Sequence, residues 1–85
     1  NLFLIDEPST GLHPVDIENF IILLNKMVDE GHTVIVVEHN EQIIRTADYI
    51  IELGPEGGDK GGTIIAVGTL EQIQQDHHSV MRVFL

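Results

Sequence analysis

The stretch that most restricts what this chain can become is NLFLIDEPSTGLHP at its start, where an unbroken apolar run meets two carboxylates and then a proline. Leu2, Phe3, Leu4 and Ile5 are apolar without alternation. That is the pattern of a short strand covered on both faces, as in a parallel sheet with helices on each side. Asp6 and Glu7 follow at once. In open α/β sheets ligands sit beyond the carboxyl ends of the strands, so the acidic pair falls where a ligand is expected. An isolated Asp-Glu-Pro triplet is more simply a polar turn that closes a buried strand, and the rest of the chain has to decide between the two.

After the loop Ser9 to His13, Pro14 stands where a helix tolerates it best, in the first turn, with Asp16 and Glu18 suited to the positive end of the helix dipole. Ile17, Phe20, Ile21, Leu24, Met27 and Val28 recur at spacings of three and four, and Gly31 supplies a left-handed stop. The spacing predicts a helix over about 14–30 that packs on the sheet. Thr33 to Val37 is a second continuous β-branched run, ending in Glu38, His39 and Asn40. The connection from Ile5 to Thr33 has the length of a right-handed crossover between parallel strands, which brings Asp6-Glu7 and Glu38-His39 to the same end of one sheet. A lone histidine at a strand end is usually a surface residue. Beside an acidic pair, His39 becomes a candidate for chemistry, while Glu38 is expected to bond nearby backbone. Asn40 then caps a short helix through about Thr46, with Ile43, Ile44 and Ala47 facing inward.

Tyr49 to Leu53 and Thr63 to Val67 read as two further strands joined as a hairpin by GPEGGDKGG. That glycine-rich stretch is not a phosphate loop. Lys60 is followed by Gly61, the next element is a strand, and Glu56 and Asp59 would repel phosphate. Thr69 and Gln72 match a capping box that starts a helix over 70–75. Asp76 to Ser79 read as a linker and Val80 to Leu85 as a last apolar turn. His77 and His78, adjacent and with no third ligand near them in sequence, are weak evidence for a metal and are expected in solvent.

Composition narrows the partners. Four Lys plus Arg against fourteen Asp plus Glu give a formal charge of −10, so these residues by themselves should repel nucleic acid and anionic membrane. No cysteine is present, which excludes disulfides and thiolate zinc sites within the 85 residues and suits a reducing compartment. The apolar runs are too short to span a bilayer, and nothing reads as a signal peptide. A chain of 85 residues, 42% hydrophobic, is at most one small domain. Starting at Asn1, one residue before a buried strand, it is expected to be a piece of a larger protein.

A strand that ends in Asp-Glu resembles the second acidic motif of the phosphate-loop ATPases, and EHN resembles the switch histidine of their ABC-type branch. The segments STGLHP, VVEHN, TADYIIELGPEGGDKGG and AVGT, in this order and at these separations, resemble the second ATPase module of the UvrA family of excinuclease proteins over Leu2 to Leu85. An ordinary ABC ATPase usually has Asp where His13 stands and Thr-His-Asp near Glu38 to Asn40, so GLH and EHN are the selective features.

The resemblance implies an α/β fold: residues 1–85 as the C-terminal fragment of an ABC-type phosphate-loop domain, with parallel strands 2–5 and 33–37, a hairpin of strands 49–53 and 63–67, and helices at about 14–30, 41–46 and 70–75. It implies that Asp6 orders Mg²⁺, that Glu7 is the general base, and that His39 contacts the γ-phosphate of ATP. Ser9, Thr10, Gly11, Leu12 and His13 correspond to the loop that links paired ATP sites. It further implies a cytoplasmic DNA-repair ATPase that acts in nucleotide excision repair as a homodimer and whose partners are damaged DNA and the excinuclease B subunit.

The phosphate loop, glutamine loop, signature and zinc modules of the family precede the region of resemblance, so the fragment alone is expected to be inactive. In the family, a strand bearing the phosphate loop lies between the equivalents of 33–37 and 49–53. Without it, the sheet is expected either to close with the hairpin or to pair through its open edge with another copy. Two other classes remain open on the residues: an ATPase component of an ABC transporter, against which His13 and GPEGG argue, and a non-enzymatic interaction domain, against which the intact Asp6, Glu7 and His39 argue.

Overall fold

Two small sheets organise the chain, each inside its own unit, Asn1–Thr46 and Ala47–Leu85. The structure is a computed structural model that describes residues 1–54 and 62–85.

In the first unit, β1 (Leu2–Asp6) and β2 (Thr33–Val37) pair in parallel, in register from Leu2 opposite Thr33 to Asp6 opposite Val37. The crossover is α1 (Pro14–Asp29), and α2 (Glu41–Ile44) follows β2. Side chains on a strand alternate between faces. Ile5, Val34 and Val36 therefore meet the helices, where they pack with Phe20 and Ile21 around the buried Ile17, Leu24 and Ile43. Leu2, Leu4, Ile35 and Val37 project to the other face, and Leu4 is 71% exposed. The expectation of cover on both faces thus holds for one face only, because all the helical cover in this unit lies on that side.

The start of α1 is capped by His13, whose Nδ1 accepts the Val15 backbone N–H at 3.2 Å, with Pro14 in the first turn. Its end is a Schellman motif: Gly31 N–H donates to the Val28 carbonyl at 2.9 Å and His32 N–H to the Met27 carbonyl at 3.1 Å, with Gly31 at φ +94°. The expected stripe is buried or half-buried except at Val28, which lies in the last turn and is exposed. Asn40 Oδ1 caps α2 by accepting the Ile43 N–H at 3.0 Å. This helix ends at Ile44 rather than Thr46, because the Thr46 N–H and hydroxyl both turn back onto the Ile43 carbonyl, at 3.0 and 2.7 Å. That tightening leaves Ala47 exposed, not inward as the spacing suggested.

In the second unit, β3 (Ile50–Leu53) and β4 (Ile64–Gly68) pair antiparallel, with an irregularity between Glu52 and Leu53. Each boundary lies one residue later at its start than the sequence indicated, and β4 extends to Gly68. Residues 55–61, which hold Glu56, Asp59, Lys60 and most of the connecting loop, lie outside the described residues. Among the described residues the hairpin adds no strand to the first sheet. β3 and β4 form a sheet of their own, and among the described residues β2 pairs only with β1.

The capping box before α3 (Leu70–Gln75) is present: Gln72 N–H donates to Thr69 Oγ1 at 3.3 Å and Thr69 N–H to Gln72 Oε1 at 2.8 Å. Ile73 is fully buried in this unit, and a 3₁₀ turn over Met81–Phe84 closes the chain. Ser79, which the sequence placed in a linker, is buried because its hydroxyl donates to Glu52, a buried carboxylate that also accepts the Val80 and Met81 N–H groups at 2.8 and 3.2 Å. No helix among the described residues is long and apolar enough to cross a membrane.

Candidate active site

The carboxyl ends of β1 and β2 bring together the residues that the sequence singled out. Asp6 is the last residue of β1, opposite Val37, and its side chain is exposed. Glu7 then leaves the strand at φ 45°, in the left-handed region, while its N–H still donates to the Val37 carbonyl at 2.7 Å. A non-glycine residue there costs of order 1–2 kcal/mol. The turn is held from outside by Pro8, by the Thr10 N–H on the Glu7 carbonyl at 3.3 Å, and by the bond to β2.

The result is a carboxylate aimed at the neighbouring strand. Glu7 Oε1 meets His39 Nε2 at 3.0 Å, with the His39 ring largely in solvent and the Glu7 side chain about half exposed. The contact is an ion pair when the imidazole is protonated and a hydrogen bond when Nε2 carries the only ring proton. A carboxylate partnered by an imidazole and open to water can accept a proton from a bound water. Parallel pairing of an apolar run with its crossover partner is what places these distant residues side by side.

Ser9 to His13 continue as a surface loop. The Leu12 N–H bonds to the Ser9 carbonyl at 2.9 Å, and His13 ends the loop as the cap of α1. Thr10, Gly11, Leu12 and His13 are exposed and Ser9 is half-buried. Of the five, Ser9 bonds the strand-end cluster through the Glu38 carboxylate and Thr10 through the Glu7 carbonyl.

Glu38 is the residue that sequence reasoning undervalued. Beyond backbone of its own turn, its carboxylate takes both the hydroxyl and the N–H of Ser9, at 2.6 and 3.1 Å. Burial alone would push its pKa up. The hydrogen bonds, the Ser9 hydroxyl foremost and then the N–H groups of His39, Asn40 and Ser9, outweigh that and hold it below the ordinary glutamate value. His77 and His78 are exposed as expected, and His78 bonds Asp76. Among the described residues no three His, Cys, Asp or Glu side chains gather as a metal cage.

No family model matches the chain. Relatives do. UvrABC system protein A of Aquifex aeolicus is 50% identical over 84 residues, covering 99% of this chain and 9% of that protein. The protein of the same name from Clostridium perfringens is 60% identical over 72 residues, 85% of this chain and 8% of its own length. That from Staphylococcus aureus is 51% identical over all 85 residues and 9% of its own length.

Among solved structures, UvrA2 from Deinococcus radiodurans superposes with a TM-score of 0.91 at 42% identity, over 99% of this chain and 10% of that one. The parallel pair, its crossover helix and the antiparallel pair therefore recur in a known protein. From end to end, the chain is a homologue of one short stretch, about a tenth, of UvrABC system protein A.

Proposed function

We propose that these residues are the C-terminal part of the second ABC-type ATPase module of a UvrA-type excinuclease protein, and that they supply half of an ATP site. The observation that carries this reading is the 3.0 Å contact of Glu7 with His39 at the carboxyl ends of parallel strands, where α/β sheets bind ligands. The homology to UvrABC system protein A, at 50% identity over nearly the whole chain, supports the choice of family.

In this reading Glu7 Oε1 takes the proton of the attacking water, and His39, seated on Glu7, holds that carboxylate in place and presents its ring to the γ-phosphate. Asp6 is the Mg²⁺ ligand. A single exposed carboxylate fits that ion, which keeps several waters and is usually bound through one or two carboxylates together with substrate phosphates. When bound, it supplies neutralising charge where phosphoryl transfer develops it. Ser9, Thr10, Gly11, Leu12 and His13 form the loop that links paired sites.

The phosphate loop and the zinc-binding and DNA-binding parts belong to the rest of the longer, cytoplasmic protein. That protein works as a homodimer on damaged DNA with the excinuclease B subunit. The charge of −10 argues for DNA contacts outside these residues.

In the full-length protein, Glu7→Gln is expected to bind ATP normally and to hydrolyse it roughly 10²–10⁴-fold more slowly. Single-turnover hydrolysis checks this, and an unchanged rate removes Glu7 from the base role. The isolated chain is expected to show no turnover.

A further inference from the structure

The chemistry of the site leaves Glu38 without a task, yet it is the most heavily bonded side chain there. Its Oε1 accepts the Ser9 hydroxyl at 2.6 Å, the His39 N–H at 2.9 Å and the Asn40 N–H at 3.1 Å, and its Oε2 accepts the Ser9 N–H at 3.1 Å. The bonds to His39 and Asn40 are local and would shape any polar turn. Those to Ser9 are not local, because they tie the loop after β1 to the turn after β2.

We propose that Glu38 is a positioning residue: one carboxylate clamps the loop at Ser9 and the turn at His39, and so fixes the separation at which Glu7 meets His39. The proposal rests on the ATP-site reading above. Only Pro8, with its restricted φ, separates Ser9 from Glu7, and His39 follows Glu38 directly, so pinning Ser9 and the His39 amide locates both reacting side chains through very short lengths of chain. Four donors converge on one group, and only a carboxylate offers acceptors on both of its oxygens.

Glutamine at this position could keep one oxygen on the hydroxyl and turn amides, but it would set its NH₂ against the Ser9 N–H. Aspartate, one methylene shorter, would not span the gap. Either change loosens the clamp without touching Glu7 or His39.

In the full-length protein, Glu38→Gln is expected to lower kcat for ATP hydrolysis roughly ten- to a hundredfold, the size of effect that small misplacements cause. The KM for ATP should stay unchanged, because nucleotide binding does not use the clamp. Ser9→Ala should act in the same direction more weakly, and Ser9→Thr, which keeps a hydroxyl, should restore the rate. The double variant Glu38→Gln with Ser9→Ala should be no slower than Glu38→Gln alone, since both break one unit.

A wild-type kcat in Glu38→Gln, a loss confined to KM, or fully additive losses would each overturn the proposal. If Glu38→Gln does not fold, Ser9→Ala and Ser9→Thr, which alter one hydroxyl on a loop, still decide it. Glu7→Gln run in parallel separates the two readings. Unchanged turnover there removes the base role of Glu7 on which the clamp rests, whereas loss in Glu7→Gln with none in Glu38→Gln removes only the clamp.

Discussion

At Glu38 two opposing influences meet, and the outcome sets a pH dependence. Burial disfavours the charge, but hydrogen bonds from Ser9, His39 and Asn40 prevail, so its carboxyl titrates below the ordinary value of 4.5. A group whose pKa falls on folding adds stability that is fully present above its unfolded value and disappears as pH drops through the lowered one. Glu38→Gln should therefore flatten the loss of stability below pH 4.5, measured as the urea midpoint across that range. An identical slope in the two proteins would show that the clamp holds no charge.

That Glu7 and His39 come together was legible in the sequence, because a carboxylate or imidazole at the end of an apolar run is conspicuous. The work of Glu38 was not. Three of its four partners are backbone N–H groups, which every residue but proline carries, so no residue type marks them. His13 shows the same limit: GLH marked the family, while its capping of α1 needed coordinates.

Among the elements, those whose ends carry their own chemistry were the most readable. Gly31 stops α1 and Thr69 with Gln72 starts α3, as their residue types require. Where an end depends on a tertiary choice, as with the Thr46 hydroxyl that cuts α2 short, spacing overshot. Gly68 adds a constraint of its own. Its φ is +146°, and a Cβ built there would run into the Gln72 side chain, the half of the capping box that reaches back to Thr69. Gly68→Ala should destabilise the second unit by about 1–3 kcal/mol, combining backbone strain with loss of the cap. Chemical denaturation checks this, and a companion Gln72→Ala should recover little of the loss, because it removes the Gln72 amide but leaves Gln72 Cβ 2.8 Å from the added methyl.

For the whole molecule, the misjudged faces matter more than the shifted boundaries. An apolar run without alternation says that both faces want cover, but it cannot say what provides that cover. Here α1 and α2 serve one face of β1–β2, and Leu2, Leu4, Ile35 and Val37 are exposed beside an edge of β2 that is unpaired among the described residues. Such a surface favours association of the isolated chain with further copies. The charge of −10 opposes this at low salt. Sedimentation should thus show self-association that strengthens as salt screens the repulsion and weakens in Ile35→Lys. A chain that stays monomeric at all ionic strengths would exclude it.

The left-handed turn at Glu7 carries a further consequence, for how this sequence drifts. As far as folding alone is concerned, glycine or asparagine suits φ 45° better than glutamate does. In a lineage selected only for keeping the fold, position 7 would slide toward those residues and gain stability as it did so. In a lineage selected for turnover it would not. Position 7 is thus a gauge on which purifying pressure for chemistry and pressure for stability pull in opposite directions, and under the proposed base role the glutamate stands on the side of chemistry.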